Sequence, residues 1–594
     1  MTETIETDVF ESYNLYSHPE KFYIEPTDLG GGTAALYHLE IDRHTNAIRL
    51  VDSRAERIPI ADSDIKFIYG ILGTIRLVSG YALIAITNAK VVGHVNNNKV
   101  WSIVDTEIIP FKKTVLHLTE KQVRYDRRFT EMIQYVMSTG GFYYSTTFDL
   151  SRTLQWLHEN SSPTFKNMPM IDRASDRFVW NGHLLSQIRA VAGAHRFALP
   201  VIHGFFGEAT ITENGQKFKI ALVSRRSKLR AGVRFYKRGV DHEGHAANYV
   251  ETEQIVEFDH NITAFVQIRG SIPLLWSQRP NLRWQPLPTM KPTDDQLAAF
   301  KRSFEWHKLH YGGKHVIVNL INQKGREKRV GSELERVAQQ ANLDYVRYHQ
   351  FDFHKECRAM QWHRIDLLRE QLSAEQTAFG FFAFNPIYPN EARLQRGFFR
   401  TNCMDCLDRT NVVQSVLAAE SLNQQLRLLG ILGAHEKVLE IPSIATRFKH
   451  LWADNGDECS RQYAGTGALK SDYTRLGKRT YYGAMNDGVN AITRYVRNNF
   501  NDGYRQDAID LFLGNYVVDP SILPPSMEAP LFSTDPNGLA LIAALFAMSM
   551  TILCILVADN LTATIFWFVI FFVCISFIFL NGEEFVNAPK LKID

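Results

Sequence analysis

The sequence predicts an α/β protein made of two soluble subdomains, followed by a C-terminal hairpin of two transmembrane helices. Three observations lead to this prediction. The first part of the chain is rich in short β-prone runs, the middle mixes strand-like with helix-like segments, and the C-terminal end contains two long apolar runs.

The first subdomain, 1–183, is predicted to be rich in β-strands. Runs typical of strands lie at 67–71 and 81–87, and glycine-containing breaks separate them. Apolar residues recur at helical spacing over 120–137, which predicts a helix. We therefore expect a sheet-rich unit that also contains helix.

The second subdomain, 184–516, is the expected place for an α/β catalytic core. A buried-looking strand is predicted at 316–321, and helices are predicted at 360–372 and 412–429. After it, 517–537 is predicted to be an extended tether, because closely spaced prolines interrupt regular structure. These prolines are Pro520, Pro524, Pro525, Pro530 and Pro536.

Two apolar runs, 538–557 and 562–580, are each long enough to cross a bilayer and are predicted to form a transmembrane hairpin. The short connection between them has no basic residue, whereas the tail, 581–594, carries Lys590 and Lys592. By the positive-inside rule this favours a cytosolic tail. The acidic, polar N-terminus has no apolar run typical of a signal sequence, so both termini and the catalytic domain are predicted to be cytosolic.

The composition of the chain excludes some classes of partner and cofactor. A net charge of +3 is too small for a nucleic-acid binder recognised by bulk charge, so no nucleic-acid partner is expected. The six cysteines are too sparse and irregular for a disulfide framework, and their spacing gives no zinc ligand set. No metal site and no cofactor are therefore expected.

The segment with the clearest chemistry runs from Arg400 to Asn411. Within it Cys403 precedes Arg409 at the spacing of the cysteine phosphatase loop, and none of the other five cysteines has an arginine at that offset. A loop of this length can curl round one phosphate, with backbone N–H groups pointing inward and the guanidinium closing the ring. The other loop residues expected to surround the phosphate are Asn402, Met404, Cys406, Leu407, Thr410 and Asn411.

Apolar residues at helical spacing over 410–429 place this loop at the start of a helix. A helix N-terminus stabilises both a bound phosphate and a thiolate, and cysteines so placed have pKa values of about 3.5 to 7.5. Cys403 is therefore predicted to be the nucleophile that forms a phosphocysteine, which water hydrolyses, with Arg409 stabilising the phosphoryl oxygens. Asp408 is the first choice for the acid that protonates the leaving oxygen, and Asp405 the second.

The full loop string resembles the signature of the Sac-domain phosphoinositide phosphatases. Further blocks with the same resemblance lie at 177–182, 244–248, 270–273, 276–281, 351–354 and 462–467, and the paired C-terminal spans are similar to those of an integral-membrane member. The resemblance implies a sheet-rich Sac subdomain, a catalytic subdomain and hydrolysis without metal. It also implies preference for phosphatidylinositol 4-phosphate, with the 3-phosphate and the 3,5-bisphosphate accepted.

Local basic clusters are compatible with an anionic lipid. One short stretch contains Arg225, Arg226, Lys228, Arg230, Arg234, Lys237 and Arg238, and a second contains Lys324, Arg326, Lys328 and Arg329. Either stretch is a candidate lining for a lipid-facing groove, although solvated charge on a strand or loop is an equally good interpretation of each residue.

Two other functions stay open at this point. A protein-tyrosine phosphatase uses a loop of the same spacing, and an inactive membrane scaffold would bind phosphoinositides without turnover. The anchor favours the lipid enzyme over the first, and the presence of both Cys403 and Arg409 disfavours the second.

The tail predicts the subcellular localisation of the protein. Lys590 and Lys592 lie fifth and third from the end, a pattern that resembles the cytosolic dilysine signal read by coatomer. We therefore expect residence in the endoplasmic reticulum membrane with cycling to the Golgi. The alternative is that the two lysines only anchor the hairpin at an anionic leaflet.

Overall fold

Two β-sheets and the helices packed on them form the body of the protein, in a computed structural model. It describes residues 8–27, 37–60, 62–357, 364–476, 480–524, 536–558 and 561–591. The predicted fold class, α/β with a pair of C-terminal apolar helices, is confirmed.

The smaller sheet is antiparallel, with strand order β4-β3-β2-β1-β5. Its strands are β1 (Tyr13–Ser17), β2 (Lys21–Pro26), β3 (Tyr37–Asp42), β4 (Ile48–Asp52) and β5 (Asp64–Ile68). Alternate side chains such as Leu15, Ile24 and Leu39 are fully buried in one apolar cluster. The opposite face is also largely covered, since Tyr23, His38 and Glu40 on it are buried.

The larger sheet has twelve strands. They are β6 (Gly70–Arg76), β7 (Tyr81–Val95), β8 (Asn98–Pro110), β9 (Phe142–Tyr144), β10 (Ile202–Glu213), β11 (Gln216–Arg226), β12 (Val250–Phe258), β13 (Asn261–Arg269), β16 (Lys314–Asn319), β17 (Val346–Gln350), β18 (Phe382–Phe384) and β19 (Gly397–Asn402); β14 (Trp276–Ser277) and β15 (Thr289–Met290) pair separately. The order is β17-β16-β19-β13-β12-β11-β10-β9-β8-β7-β6, with β18 also on β13.

The pairing changes along this sheet. Strands β13, β19, β16 and β17 are parallel, whereas the pairs from β6 to β13 are antiparallel. The predicted subdomain boundary at 183 falls between β9 and β10, which are hydrogen-bonded to each other. The two predicted subdomains therefore share one continuous sheet.

Fifteen helices accompany the sheets in the described part of the chain before the tether. They are α1 (Glu120–Ser138), α2 (Leu154–Glu159), α3 (Pro163–Lys166), α4 (Met170–Arg173), α5 (Ser186–Arg189), α6 (Thr293–Tyr311), α7 (Lys328–Ala341), α8 (Phe353–Glu356), α9 (Ile365–Gln371), α10 (Ser373–Phe379), α11 (Asp408–Leu428), α12 (Pro442–Ala464), α13 (Ser471–Leu476), α14 (Tyr481–Phe500) and α15 (Asp502–Phe512). The helix predicted at 120–137 is α1, whose start is fixed by a capping box between Thr119 and Gln122.

Two other helix predictions agree in place but not in bounds. The helix predicted at 412–429 begins earlier, at Asp408, and is α11. The one predicted at 360–372 corresponds to α9, while 358–363 lie outside the described residues.

The segment expected to begin an extended tether packs on the body instead. Val518 is buried in the cluster that contains Phe129 of α1. Gln122 donates to the carbonyl of Pro520, and the hydroxyl of Tyr125 donates to that of Pro524. The prolines remove regular hydrogen bonding from 517–524, but they leave carbonyl groups free for α1 to bind. Of the rest of the predicted tether, 525–535 lie outside the described residues. Pro536 and Asn537 are helical instead of extended, because proline is tolerated in the first turn of a helix.

Two C-terminal helices form the predicted hairpin, α16 (Pro536–Leu553), extended by a π-helical turn over Cys554–Ala558, and α17 (Leu561–Leu580). Gly538–Val557 and Leu561–Leu580 are long and apolar enough to cross a membrane by length and composition. Most of their surface is not covered by the rest of the protein.

The tail that follows α17 folds back onto the soluble body. Asn587 donates its backbone N–H to Asn499 and accepts from the Tyr504 N–H, and the backbone N–H groups of Lys590 and Leu591 both donate to Asp507. Leu591 is buried at 2% exposure. The tail through Leu591 is therefore a packed part of the fold.

Candidate active site

The cysteine-containing loop lies at the end of a central parallel strand. β19 pairs with β13 on one side and β16 on the other, the loop 403–407 follows, and α11 begins at Asp408. This strand–loop–helix arrangement puts unpaired N–H groups and the positive end of the helix dipole beside the loop.

Cys403 has the environment of a thiolate. Its Sγ accepts a hydrogen bond from the backbone N–H of Cys406 at 2.9 Å and from the Thr410 hydroxyl at 3.4 Å. Burial raises the pKa of the thiol, but contact with Cys406, the charge of Arg409 and the Thr410 hydroxyl outweigh it, so the pKa falls to about 6. Cys403 is therefore largely ionised at neutral pH.

Cys406 supports the loop from inside. Its backbone is left-handed, with φ of 54°, and its fully buried Sγ donates to the carbonyl of Gly270 at 2.8 Å. Burial and the neighbouring Cys403 sulfur raise the pKa of the Cys406 thiol well above its usual value. Cys406 therefore stays protonated and shapes the loop.

Asp405 is held by two arginines. Arg234 donates to it through Nε at 3.0 Å and Nη2 at 2.6 Å, and Arg238 donates through Nη2 at 2.6 Å. Burial opposes ionisation, but the two guanidinium groups hold the pKa of Asp405 well below its usual range. In this arrangement Asp405 has no proton to give at neutral pH.

Asp408 occupies a more open position at the first residue of α11. Its Oδ1 accepts the backbone N–H of Leu469 at 2.6 Å, and its Oδ2 lies 3.5 Å from Nη1 of Arg494. Its side chain is 30% exposed. Since the side chain of Asp405 is 23% exposed, the two carboxylates differ mainly in their partners: Asp405 binds two guanidinium groups closely, whereas Asp408 binds a backbone N–H and lies at 3.5 Å from one guanidinium.

Arg409 is oriented by the loop between β16 and α7. Glu327 binds its two terminal nitrogens, at 3.1 Å to Nη1 and 3.0 Å to Nη2, while Asn322 and the Leu320 carbonyl accept from Nη1 at 3.2 Å each. The edge formed by Nε and the second Nη2 hydrogen has no acceptor among the described residues. That edge is a bidentate donor of the kind that fits a phosphate.

The remaining predicted loop residues are all buried, but they differ in what they contact. Asn402 is fully buried and donates to Asn319 at 2.7 Å, and Asn411 donates to the carbonyl of Trp452 at 2.8 Å. Leu407 packs in a small apolar cluster with Tyr463, and Met404 is also buried. Asn402, Asn411 and Leu407 stabilise the shape of the loop through these internal contacts, whereas Thr410 contacts the Cys403 sulfur.

The interpretation of Arg225 and Arg226 as a lipid-facing pair is wrong. Arg225 is 1% exposed and forms ion pairs with Glu251 at 2.9 Å and Glu253 at 2.7 Å. Arg226 is equally enclosed and donates to the carbonyls of Gly232 and Gln462. Both guanidinium groups are bound to acceptors inside the protein, Arg225 to carboxylates on β12 and Arg226 to carbonyls of a loop and of α12, so they are not available to a lipid.

The other three predicted basic residues lie in different places. Lys228 pairs with Asp176 at 2.6 Å, and Arg230 donates twice to the carbonyl of Arg238, so both are engaged in the structure of their loop. Lys324 is exposed, on the same loop as Glu327. Of the five, only Lys324 lies free at the surface on an element that contacts Arg409.

Four residues of the site were not selected from the sequence. Arg234 and Arg238 were part of the basic stretch, but nothing in it distinguished them from the buried arginines nearby. Glu327 and Arg494 carried no sequence signal. Each of the four is brought to the loop only by the fold.

Among the described residues, no group of three or more His, Cys, Asp or Glu side chains is arranged to hold a metal ion. The chemistry that these residues can perform is nucleophilic attack by a thiolate on an anionic group held by a guanidinium.

Comparison with known proteins agrees with this geometry. Residues 69–358 match the SacI homology domain. The chain is 44% identical to phosphatidylinositol-3-phosphatase SAC1-A of Danio rerio, over 98% of each chain. It is 39% identical to phosphatidylinositol-3-phosphatase SAC1 of Drosophila melanogaster, over 99% of this chain and 98% of the relative.

The chain belongs to the Sac-domain phosphoinositide phosphatases. The resemblance drawn from the loop is thereby confirmed, and the protein is a phosphoinositide phosphatase. A more distant relative, phosphatidylinositol-3-phosphatase SAC1 of Saccharomyces cerevisiae, is 34% identical over 90% of this chain and 87% of the relative. The likeness to Sac-domain relatives thus extends over the C-terminal apolar helices as well as the SacI homology domain.

Proposed function

We propose that this Sac-domain phosphatase removes phosphate from phosphatidylinositol 4-phosphate, and also from the 3-phosphate and the 3,5-bisphosphate, through a phosphocysteine on Cys403. The observation that carries the proposal is the state of the Cys403 sulfur, which is buried, accepts two hydrogen bonds and has a pKa of about 6. The relatives' names specify a 3-phosphatase; the order of substrates here is part of the proposal.

In the first step the Cys403 thiolate attacks phosphorus, and a new S–P bond forms as the P–O bond to inositol breaks. The departing oxygen takes a proton from Asp408, which is the better acid because Asp405 is held ionised by Arg234 and Arg238. Arg409 binds two phosphoryl oxygens through its Nε and Nη2 edge.

In the second step water attacks phosphorus and the S–P bond breaks, which returns the thiolate and releases phosphate. Asp408 accepts a proton from the attacking water and is restored to the acid form. Cys406 keeps its proton throughout, and its thiol and backbone N–H hold the loop. No metal is required for either step.

The test is an assay of the full-length protein, reconstituted into vesicles, on each of the three phosphoinositides and on a phosphotyrosine peptide. Cys403→Ser is the matched control. We expect phosphate release from the lipids that Cys403→Ser abolishes. Faster release from the peptide would indicate a protein-tyrosine phosphatase, and lipid binding without any release would indicate a scaffold.

We further propose that α16 and α17 anchor the enzyme in the endoplasmic reticulum membrane with both termini cytosolic, and that coatomer reads Lys590 and Lys592 during cycling to the Golgi. Lys592 lies outside the described residues, and the backbone of Lys590 is bound to Asp507. A coat that needs Lys590 in an extended peptide must therefore first release the tail. Replacing both lysines by serine should move the protein to later Golgi membranes, and an unchanged distribution would contradict the proposal.

A further inference from the structure

Helix α14 buries its polar face and exposes its apolar face, which is the reverse of a helix packed on a soluble core. Its buried face carries polar residues, including Arg494, Asn498 and Asn499. Its exposed face carries an apolar stripe at successive spacings of three or four residues, which we call the α14 stripe: Tyr482, Met485, Val489, Ile492, Val496 and Phe500.

The α14 stripe is continuous and uncharged. Its members include Tyr482 at 73% exposure and Ile492 at 63%. At 3.6 residues per turn all six side chains fall on one side of the helix, over a length of roughly 25 to 30 Å. A contiguous exposed apolar surface of this extent marks an interaction site, whereas the exposed apolar residues of an ordinary soluble surface are scattered singly.

Helix α14 lies next to the apolar hairpin. Near its C-terminal end, Asn499 accepts the backbone N–H of Leu282 at 3.1 Å, and the Tyr495 hydroxyl donates to the Leu282 carbonyl at 2.7 Å. Leu282 in turn packs against Ala544 of α16 and Ile578 of α17. The helix is therefore tied through one residue to the base of the apolar hairpin.

A tryptophan lies next to Tyr495 at this end of α14. Trp284 stacks on Tyr495 with ring centroids 5.4 Å apart and an interplanar angle of 15°, and it remains 61% exposed. Tryptophan is enriched at the boundary between lipid and water, where its ring meets both.

We propose that α14 is an interfacial helix whose apolar stripe lies in the leaflet next to the catalytic domain, beside the hairpin, with the lipid bilayer as its partner. The inference rests on the proposed anchoring of the hairpin in a membrane. A helix with a wide apolar face and polar residues behind it typically lies about 5 to 10 Å deep at the headgroup boundary.

This placement connects the membrane to the catalytic loop. On the buried face of α14, Arg494 donates to Thr466 at 2.7 Å and to Ser460 at 2.8 Å, and its Nη1 lies 3.5 Å from Asp408. A bilayer that binds the α14 stripe therefore also fixes the position of the opposite face of the helix, where Arg494 contacts Asp408. The inserted helix sets the catalytic loop at a constant height above the headgroups.

The direct test uses a photo-crosslinking amino acid, p-benzoylphenylalanine, introduced into the full-length protein in phosphatidylcholine vesicles. It replaces Val489 on the stripe, Asn490 off the stripe, or Phe572 of α17 as a marker for the hairpin. We expect lipid adducts at 489 and 572 and few at 490.

Three results would decide against the inference or its premise. Lipid adducts at 572 with none at 489 would overturn the interfacial helix and leave the anchor intact. Adducts between 489 and a second copy of the chain would assign the stripe to a protein interface. Absence of lipid adducts at 572 would contradict membrane anchoring itself and with it the inference.

Activity provides an independent readout. Val489→Glu should reduce turnover of phosphatidylinositol 4-phosphate in vesicles several-fold, because a charge on the stripe opposes insertion. Turnover of a soluble short-chain analogue should be unchanged. Asn490→Glu adds the same charge off the stripe and should leave both rates unaltered; equal loss in the two variants, or loss on the soluble analogue, would refute the proposal.

Discussion

Replacing Thr410 by valine should raise the pKa of Cys403 and change nothing else in the loop. Thr410 is fully buried, and its hydroxyl donates to the Cys403 Sγ at 3.4 Å. A hydrogen bond to a charged group is worth about 1.5 to 3 kcal/mol, and this long contact belongs at the lower end. Since about 1.4 kcal/mol corresponds to one pKa unit, the pKa should rise from about 6 by roughly one unit.

The size of the effect depends on pH. At pH 6 the thiolate fraction should fall from about one half to about one tenth, a loss of roughly fivefold, whereas at pH 8 both proteins are more than about 90% ionised. The measurement is the rate of Cys403 alkylation by iodoacetamide between pH 5 and pH 9, followed by mass spectrometry of the loop peptide so that other cysteines do not contribute.

Thr410→Ser is the matched control, because it keeps the hydroxyl and should keep the wild-type profile. A Thr410→Val profile that coincides with wild type would show that the hydroxyl does not stabilise the thiolate. A loss of the same size at pH 6 and pH 8 would show that the substitution disturbs the loop and not the ionisation of Cys403.

Three further outcomes are expected. Glu327→Gln should lower kcat/KM by about 10-fold, because Arg409 loses a charge-assisted hydrogen bond worth about 1.5 to 3 kcal/mol and about 1.4 kcal/mol corresponds to tenfold. Glu333→Gln on α7, whose carboxylate pairs with Arg336 and not with Arg409, should have no effect, and equal values for both variants would exclude the orienting role. Asp408→Asn should slow hydrolysis of the lipid but recover on a substrate with a good leaving group, while the Asp405→Asn defect should persist on both; recovery by Asp405→Asn instead would reverse the assignment of the acid. Asp507→Ala should expose the C-terminal tail to carboxypeptidase, because the backbone N–H groups of Lys590 and Leu591 lose their acceptor; a protected tail in Asp507→Ala would refute the anchor.

The fold class and the position of the cysteine-containing loop at the start of a helix could be predicted from the sequence, because their signals are local. Cys403 and Arg409 are six residues apart, and apolar residues recur at helical spacing in the segment that follows them, whereas the buried strand before them, which contains Arg400, Thr401 and Asn402, was not predicted. A loop between a buried strand and a helix N-terminus has few arrangements open to it, so spacing alone predicts the phosphate-binding geometry.

The rest of the site depends on contacts between distant parts of the chain. Arg234 lies 171 residues from Asp405, and Glu327 lies 82 residues from Arg409. The error over Arg225 has the same cause, since Glu251 lies opposite it on β12 and this register cannot be read from a charge cluster. A basic stretch in sequence does not distinguish a buried ion pair from a surface that binds lipid.

The proposed tether and tail show a second limit of local patterns. Prolines correctly predict irregular backbone over 517–524, but irregular backbone can still be packed, as the contacts of Pro520 and Pro524 with α1 show. Whether a segment is extended depends on the partners available to its carbonyl groups, and here α1 provides them.

The most direct test of the proposed chemistry is to identify the atom that carries phosphate during turnover. Full-length protein in vesicles is mixed with ³²P-labelled phosphatidylinositol 4-phosphate under single-turnover conditions, quenched in acid and digested. The proposal predicts label on the peptide containing Cys403, as an acid-stable and iodine-sensitive thiophosphate ester, and none in Cys403→Ser. Release of labelled phosphate with the label found on another side chain, or release that persists in Cys403→Ser, would contradict it.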